Sequence, residues 1–205
     1  MRIIFLDIDG VLNCESAYKK GFCQYVESED FHYQEFYPPS KKLINQLIEE
    51  TDAKIVISSS WRKDGLERMK KIWKNEGMSG EVIDTTPSLY LQRGGSIQFW
   101  NGFEKNHPTP KIQGYSIPRG SEIEYWLKQQ GFYHINWSKE EQLEVIKSSG
   151  IENYVIVDDD SDMLYKQRNN FVHVLPSPRN KEGFNENYYN LAKEKLAKNV
   201  IDLNY

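Results

Sequence analysis

The sequence predicts an α/β fold built on a largely parallel sheet, and three observations carry that reading. Short apolar runs alternate with stretches of helical periodicity. The runs are unbroken, as strands covered on both faces require. Three of them end in polar residues, at Asp7, Ser58 and Asp158, where an open parallel sheet gathers its ligands.

Residues 3–6, Ile-Ile-Phe-Leu, form the first strand. Residues 13–39 read as an irregular polar and aromatic stretch ending in Pro38-Pro39. Ser40 then caps a helix whose apolar stripe is Leu43, Ile44, Leu47 and Ile48. Ile55-Val56-Ile57 is the second strand, and Ser58-Ser59-Ser60 open a helix running to about Asn75. Val82-Ile83 is a weak third strand. Residues 84–118 are rich in Pro, Gly, Asn and aromatics without clean periodicity, which predicts an ordered loop or small cap element. Ser121 and Glu124 make a capping box for a helix that turns Ile123, Trp126 and Leu127 inward. Ser138 and Glu141 make another, and that helix stops near Gly150. Val155-Ile156-Val157 and the run Val172 to Leu175 are the remaining strands, and a helix over 187–198 closes the chain.

A chain of 205 residues suits one α/β domain. We expect residues 1–205 to form that single domain, with small substrate-loop insertions at 13–39 and 84–118. The net charge of −4, with acids and bases well mixed, announces neither a nucleic-acid nor a membrane partner. Five Trp and thirteen Tyr are a heavy aromatic load, split between core packing and a binding surface. No apolar run approaches ~18 residues and no signal-peptide pattern opens the chain. A cytoplasmic, reduced protein is expected, although a disulfide between Cys14 and Cys23 would close only a short loop.

Asp7 and Asp9 share one side of the extended backbone before the turn at Gly10. Two acids crowded at a sheet mouth repel each other unless a hard, oxygen-liganded cation such as Mg²⁺ neutralises them or they share a proton. The spacing Asp158, Asp160, Asp162 mimics the start of a calcium loop. Met163 stands where that loop requires Gly, however, and Asn169 where it requires Glu. A second carboxylate group for the ion at Asp7 is the better account. Backbone N–H groups and hydroxyls at Ser58, Ser59 and Ser60 suit a phosphate oxygen, though one of these serines caps the helix. Arg62 either reaches an anion or points to water. Arg119 precedes a helix, where the dipole disfavours a cation unless an anion pairs with it, and Lys111 is the alternative.

Together these residues resemble the haloacid dehalogenase (HAD) superfamily of phosphohydrolases. Asp7-Ile8-Asp9-Gly10-Val11 looks like its first motif and Ile55-Val56-Ile57-Ser58 its second. Arg119 opening a helix resembles the third, and Val155-Ile156-Val157-Asp158-Asp159 the fourth. The resemblance implies a Rossmann-like three-layer sandwich with minimal or no cap domain. It makes Asp7 the nucleophile that forms an aspartyl-phosphate and Asp9 the general acid/base. It gives Ser58, with Ser59 and Arg62 nearby, to the phosphorylated substrate, and Arg119 to the charge on the transferring group. Mg²⁺ would be held by Asp7, the Asp9 carbonyl and the Asp158/Asp159 pair. A DxxxD alignment would choose Asp158 and Asp162 instead. The family's third motif usually carries Lys, so Arg119 replaces a point charge with a fork.

The wording Ser-Ser-Ser-Trp-Arg, Arg119-Gly120 and Asp-Asp-Asp-Ser-Asp-Met is similar to a capless subgroup related to the phosphatase part of polynucleotide end-repair proteins. That implies a nucleotide or nucleic-acid end as substrate and no membrane partner. Phe99, Trp100, Phe103 and Tyr115, interleaved with Arg93, Lys105 and Lys111, would stack a base and touch phosphate, or pack their loop onto the domain. Two other classes stay open on the residues: a receiver-like signalling module, and a non-catalytic metal- or phosphate-binding module of the same fold.

Overall fold

The computed structural model describes residues 1–27, 32–92, 97–99, 114–132 and 138–198. From the N-terminus its elements are β1 (Arg2–Leu6), α1 (Glu15–Lys19), β2 (Tyr25–Glu27), β3 (His32–Gln34), α2 (Pro38–Thr51) and β4 (Lys54–Ile57). A 3₁₀ turn (Ser60–Asp64), α3 (Leu66–Asn75), β5 (Val82–Thr85), β6 (Leu89–Gln92), β7 (Ile97–Phe99) and β8 (Gly114–Ser116) follow. The chain continues through α4 (Arg119–Gln129), α5 (Lys139–Ser149), β9 (Asn153–Asp158), a 3₁₀ turn (Tyr165–Gln167), β10 (Phe171–His173) and α6 (Glu186–Ala197).

The central sheet has the order β10-β9-β1-β4-β5, with every pairing parallel. Period-two alternation sends Ile4 and Leu6 of β1 to one face and Ile3 and Phe5 to the other. The first face packs with Ile55, Ile57, Val155 and Val157 against Leu43, Ile44, Leu47 and Ile48 of α2, Met69, Ile72 and Trp73 of α3, and Leu196 of α6. The second packs with Val56 and Ile156 against Ile123, Trp126 and Leu127 of α4 and the half-buried Val145 and Ile146 of α5. Each such burial is worth roughly 1.5–3 kcal/mol. The architecture is the expected Rossmann-like α/β sandwich, and no large cap stands over it among the described residues.

Four local expectations are corrected. α2 starts at Pro38, two residues before Ser40, because the two prolines occupy first-turn positions whose N–H groups would go unpaired anyway. Ser40 is buried and donates to the Glu182 carbonyl at 3.3 Å. The helix expected from the serines splits at Gly65, whose φ of 91° breaks the ladder between the 3₁₀ turn and α3. α4 starts at Arg119 after Pro118, with no capping hydrogen bond from a side chain of its own start. Asp162 Oδ2 accepts the Arg119 N–H at 2.8 Å instead, so the helix is capped by a distant loop. Residues 13–39 are less irregular than expected, since they hold α1 and the antiparallel β2–β3 hairpin.

The Ser138/Glu141 capping box and the Gly150 stop are present as expected. Within 84–118, β6 pairs antiparallel with β7 and β8 in a small separate sheet. Arg93, Trp100, Phe103, Lys105 and Lys111 lie outside the described residues, as do the side chains of Phe99 and Tyr115. Cys14 and Cys23 are free, buried thiols packed with Ala17 and Tyr37.

Candidate active site

The sheet order explains how sequence-distant polar groups meet. β9, β1 and β4 are adjacent, so their carboxyl ends set Asp158, Asp7 and Ser58 side by side. The strand order also switches sides at β1, with β4 and β5 added on one side and β9 and β10 on the other, which opens a crevice at the strand ends. Asp7, Asp158 and Asp159 each bring a carboxylate oxygen within 4.8 Å of the others. Gly10 makes room for the third acid. Its φ is 75°, and a Cβ there would lie 2.2 Å from Asp159 Oδ2, so only glycine fits the turn. Asp162 stays outside this trio, committed to the start of α4.

Arg119 reaches across from α4 and lies 3.3 Å from Asp7 and 3.5 Å from Asp158. It also donates to the Ser58 carbonyl. Burial opposes its charge, but Asp7, Asp158 and Asp162 outweigh that cost and hold its pKa above the usual value. Its fork thus ties β1, β4 and β9 together, which a lysine could do less well.

The acids are under electrostatic pressure. Burial, with Asp7 next to it, pushes Asp158 up to about 9. Burial and then the charges of Asp7 and Asp160 push Asp159 up to about 6. Burial also raises Asp7, while Arg119 and a hydrogen bond from Ser59 pull it back. Asp158 Oδ1 accepts from the Asp160 N–H at 2.9 Å, but its buried Oδ2 has no hydrogen-bond partner among the described residues, only the ion-pair approach of Arg119. Three crowded acids with an orphaned oxygen fit a hard divalent cation, which neutralises them and accepts that oxygen's unused lone pair.

Asp9 behaves differently. Its exposed carboxylate turns away from the trio and accepts from Trp61 Nε1 at 3.0 Å and Ser60 Oγ at 3.5 Å. Ser58 is fully buried, its Oγ accepting from Thr86 at 3.3 Å, which leaves the hydroxyl proton to donate elsewhere. Ser59 is the serine that caps the 3₁₀ turn, accepting from the Trp61 N–H at 3.4 Å. Arg62 was expected to reach an anion or point to water; the anion it reaches is the chain's own Glu122, and it also borders the cleft beside the site. It is buried, pairs with Glu122 and donates to the Ser59 carbonyl at 2.6 Å.

Two residues here carried no expectation. Glu122 also accepts from the Leu89 N–H at 2.8 Å, so it joins α4, the 3₁₀ turn and β6. Its signal was a charge four residues before Trp126, on the helix face expected to be buried. Trp61 positions Asp9, and nothing in its sequence neighbours announced that bond. A cleft of about 200 Å³ opens beside these groups, with Arg119, Lys63, Ser60, Tyr90 and Asp162 in its walls.

An α/β sheet that presents two acids after its central strand, a hydroxyl after one neighbour and further acids after the other defines a domain of the haloacid dehalogenase superfamily. Residues 3–187 match the family model of the HAD domain in Swiss Army Knife RNA repair proteins. The chain belongs to that family, a HAD domain of the polynucleotide end-repair type. No curated protein and no solved structure matches it.

Proposed function

We propose that this chain is a Mg²⁺-dependent phosphomonoesterase that removes a terminal phosphate from a nucleotide or nucleic-acid end. The observation that carries the reading is the approach of Asp7, Asp158 and Asp159 to within 4.8 Å, with Arg119 on Asp7. Asp7, Asp158, Asp159 and the Asp9 carbonyl would hold the ion. When bound, Mg²⁺ neutralises the acids and draws charge from the phosphoryl oxygens.

An Asp7 oxygen attacks phosphorus in line, and the ester P–O bond breaks. The Asp9 carboxyl, held by Trp61 and Ser60 on the exposed side, gives its proton to the departing oxygen. Water, deprotonated by Asp9, then attacks the aspartyl-phosphate, releasing inorganic phosphate and regenerating Asp7. Ser58 donates to a phosphoryl oxygen, and Arg119 stabilises the charge that builds on the transferring group. Ser59 and Arg62 act one step back: the first steadies Asp7, and the second, through Glu122, steadies the 3₁₀ turn that carries Trp61.

Among the described residues no helix is long and apolar enough to cross a membrane. With two free thiols, this supports a cytoplasmic setting. The test is phosphate release from 3′- or 5′-phosphorylated oligonucleotides, nucleotides and sugar phosphates, with Mg²⁺ and after chelation. We expect turnover of at least one phosphorylated oligonucleotide that chelation abolishes. Turnover that survives chelation, or none across the whole panel, contradicts the proposal.

A further inference from the structure

We propose that the groove between the β2–β3 hairpin and α3 holds the nucleobase next to the scissile phosphate, a reading that rests on the phosphatase function above. The groove measures about 290 Å³, at the lower end of small-molecule sites (~300 Å³). It joins the cleft lined by Arg119 at Ser60, which borders both. Trp61 lies in its wall and donates to the Asp9 carboxylate at 3.0 Å. An ester oxygen protonated by Asp9 therefore leaves at the mouth of this groove.

The walls suit a neutral ring. Tyr25 is 73 % exposed, on a three-residue strand that among the described residues pairs with β3 alone. Such a ring held in water offers a stacking face. Trp61 is fixed in advance, with its N–H on Asp9 and its ring 6.0 Å from that of Phe36. Arg68, the groove's arginine, is already engaged. It donates to the His32 carbonyl at 2.9 Å and lies 3.4 Å from Asp64. Ring faces with an engaged cation favour a base over a second phosphate. The cleft on the other side of Ser60 instead gathers three cations, Arg62, Lys63 and Arg119, beside Glu122, Asp160 and Asp162. The Arg119 cleft, Asp9 and the aromatic groove thus follow the order of groups in a nucleoside phosphomonoester: phosphate, ester oxygen, then sugar and base.

The test compares kinetics on a phosphorylated oligonucleotide with kinetics on glycerol phosphate, which has no base. Tyr25→Ala should raise KM for the oligonucleotide about 5- to 100-fold, the scale of one lost stacking contact. It should leave kcat close to wild type and change neither parameter for glycerol phosphate. Tyr25→Phe, which keeps the ring, should restore KM. Equal losses on both substrates, or an unchanged oligonucleotide KM in Tyr25→Ala, overturn the proposal. A second arm needs no turnover: the affinity of Asp7→Asn for a fluorescein-labelled phosphorylated oligonucleotide, read by anisotropy, should fall by the same factor when Tyr25→Ala is added. Unchanged affinity there also overturns it. A protein that loses affinity in this way yet hydrolyses nothing contradicts the phosphatase reading and leaves the groove assignment standing.

Discussion

Asp7→Asn should cut phosphate release by at least about a thousandfold, the scale on which nucleophile removal acts in covalent catalysis. The amide is nearly isosteric, and its oxygen can still accept from the Ile8 N–H, which lies 2.8 Å from Asp7 Oδ1. What it lacks is a lone pair basic enough to displace an ester oxygen at phosphorus. The substitution also removes an acid whose charged form burial disfavours, so the metal-free variant should melt no lower than the parent. Weakened Mg²⁺ binding should accompany the lost activity, because one ligand has lost its charge. A folded Asp7→Asn protein with wild-type turnover would remove Asp7 from the mechanism.

Arg119→Ala should lower kcat by roughly a hundred- to a thousandfold, as loss of a donor aimed at developing charge does. Its effect on stability follows from its position. Among the described residues Arg119 is the one basic side chain paired with both Asp7 and Asp158, and stripping the partner from buried acids costs about 3 kcal/mol or more. For a chain of this size that is ~6–12 °C in melting temperature. Arg119→Lys should recover part of both losses, since a lysine restores the charge without the fork.

The loss should depend on pH. In the metal-free parent Asp158 titrates near 9 and Asp159 near 6, both raised first by burial, whereas unfolded aspartates titrate near ~4. Between those values the folded state keeps protons that the unfolded chain has released. Metal-free stability therefore falls as pH rises from about 4 towards 9. Removing Arg119, which pulls Asp158 downwards, steepens that fall. Added Mg²⁺ should flatten it, because the ion binds the deprotonated acids. Thermal melts at pH 6 and pH 9, with and without Mg²⁺, measure both effects.

The strand ends were legible because buried parallel strands are written as unbroken apolar runs, and Asp7, Ser58 and Asp158 stand just past three of them. Helix stripes such as Leu43, Ile44, Leu47 and Ile48 were legible by the same logic of burial. The β2–β3 hairpin and the β6–β8 sheet were not, since short strands such as Tyr25–Glu27 and His32–Gln34 mix polar and aromatic residues and carry no unbroken apolar run. The start of α4 was misplaced because its cap, Asp162, comes from across the fold, while Ser121 and Glu124 offered a convincing local pattern. Arg62 was ambiguous for a related reason. Its partner Glu122 lies 60 positions away, and only the packing of α4 on the 3₁₀ turn brings the two together. The choice between Asp159 and Asp162 depended on a close approach to Gly10 that spacing alone does not encode.

The most direct measurement is to trap the phosphoryl group. Asp9→Asn, supplied with Mg²⁺ and an aryl phosphate whose leaving group departs without a proton, should accumulate the acyl phosphate because its water lacks a base. Borohydride reduction after acid quenching turns such an aspartate into homoserine, which peptide mass spectrometry locates. Homoserine at position 7, with Asp158 and Asp159 unmodified, is the predicted result. Phosphate released while position 7 remains aspartate, or reduction at a different acid, would contradict a nucleophile seated in this carboxylate cluster.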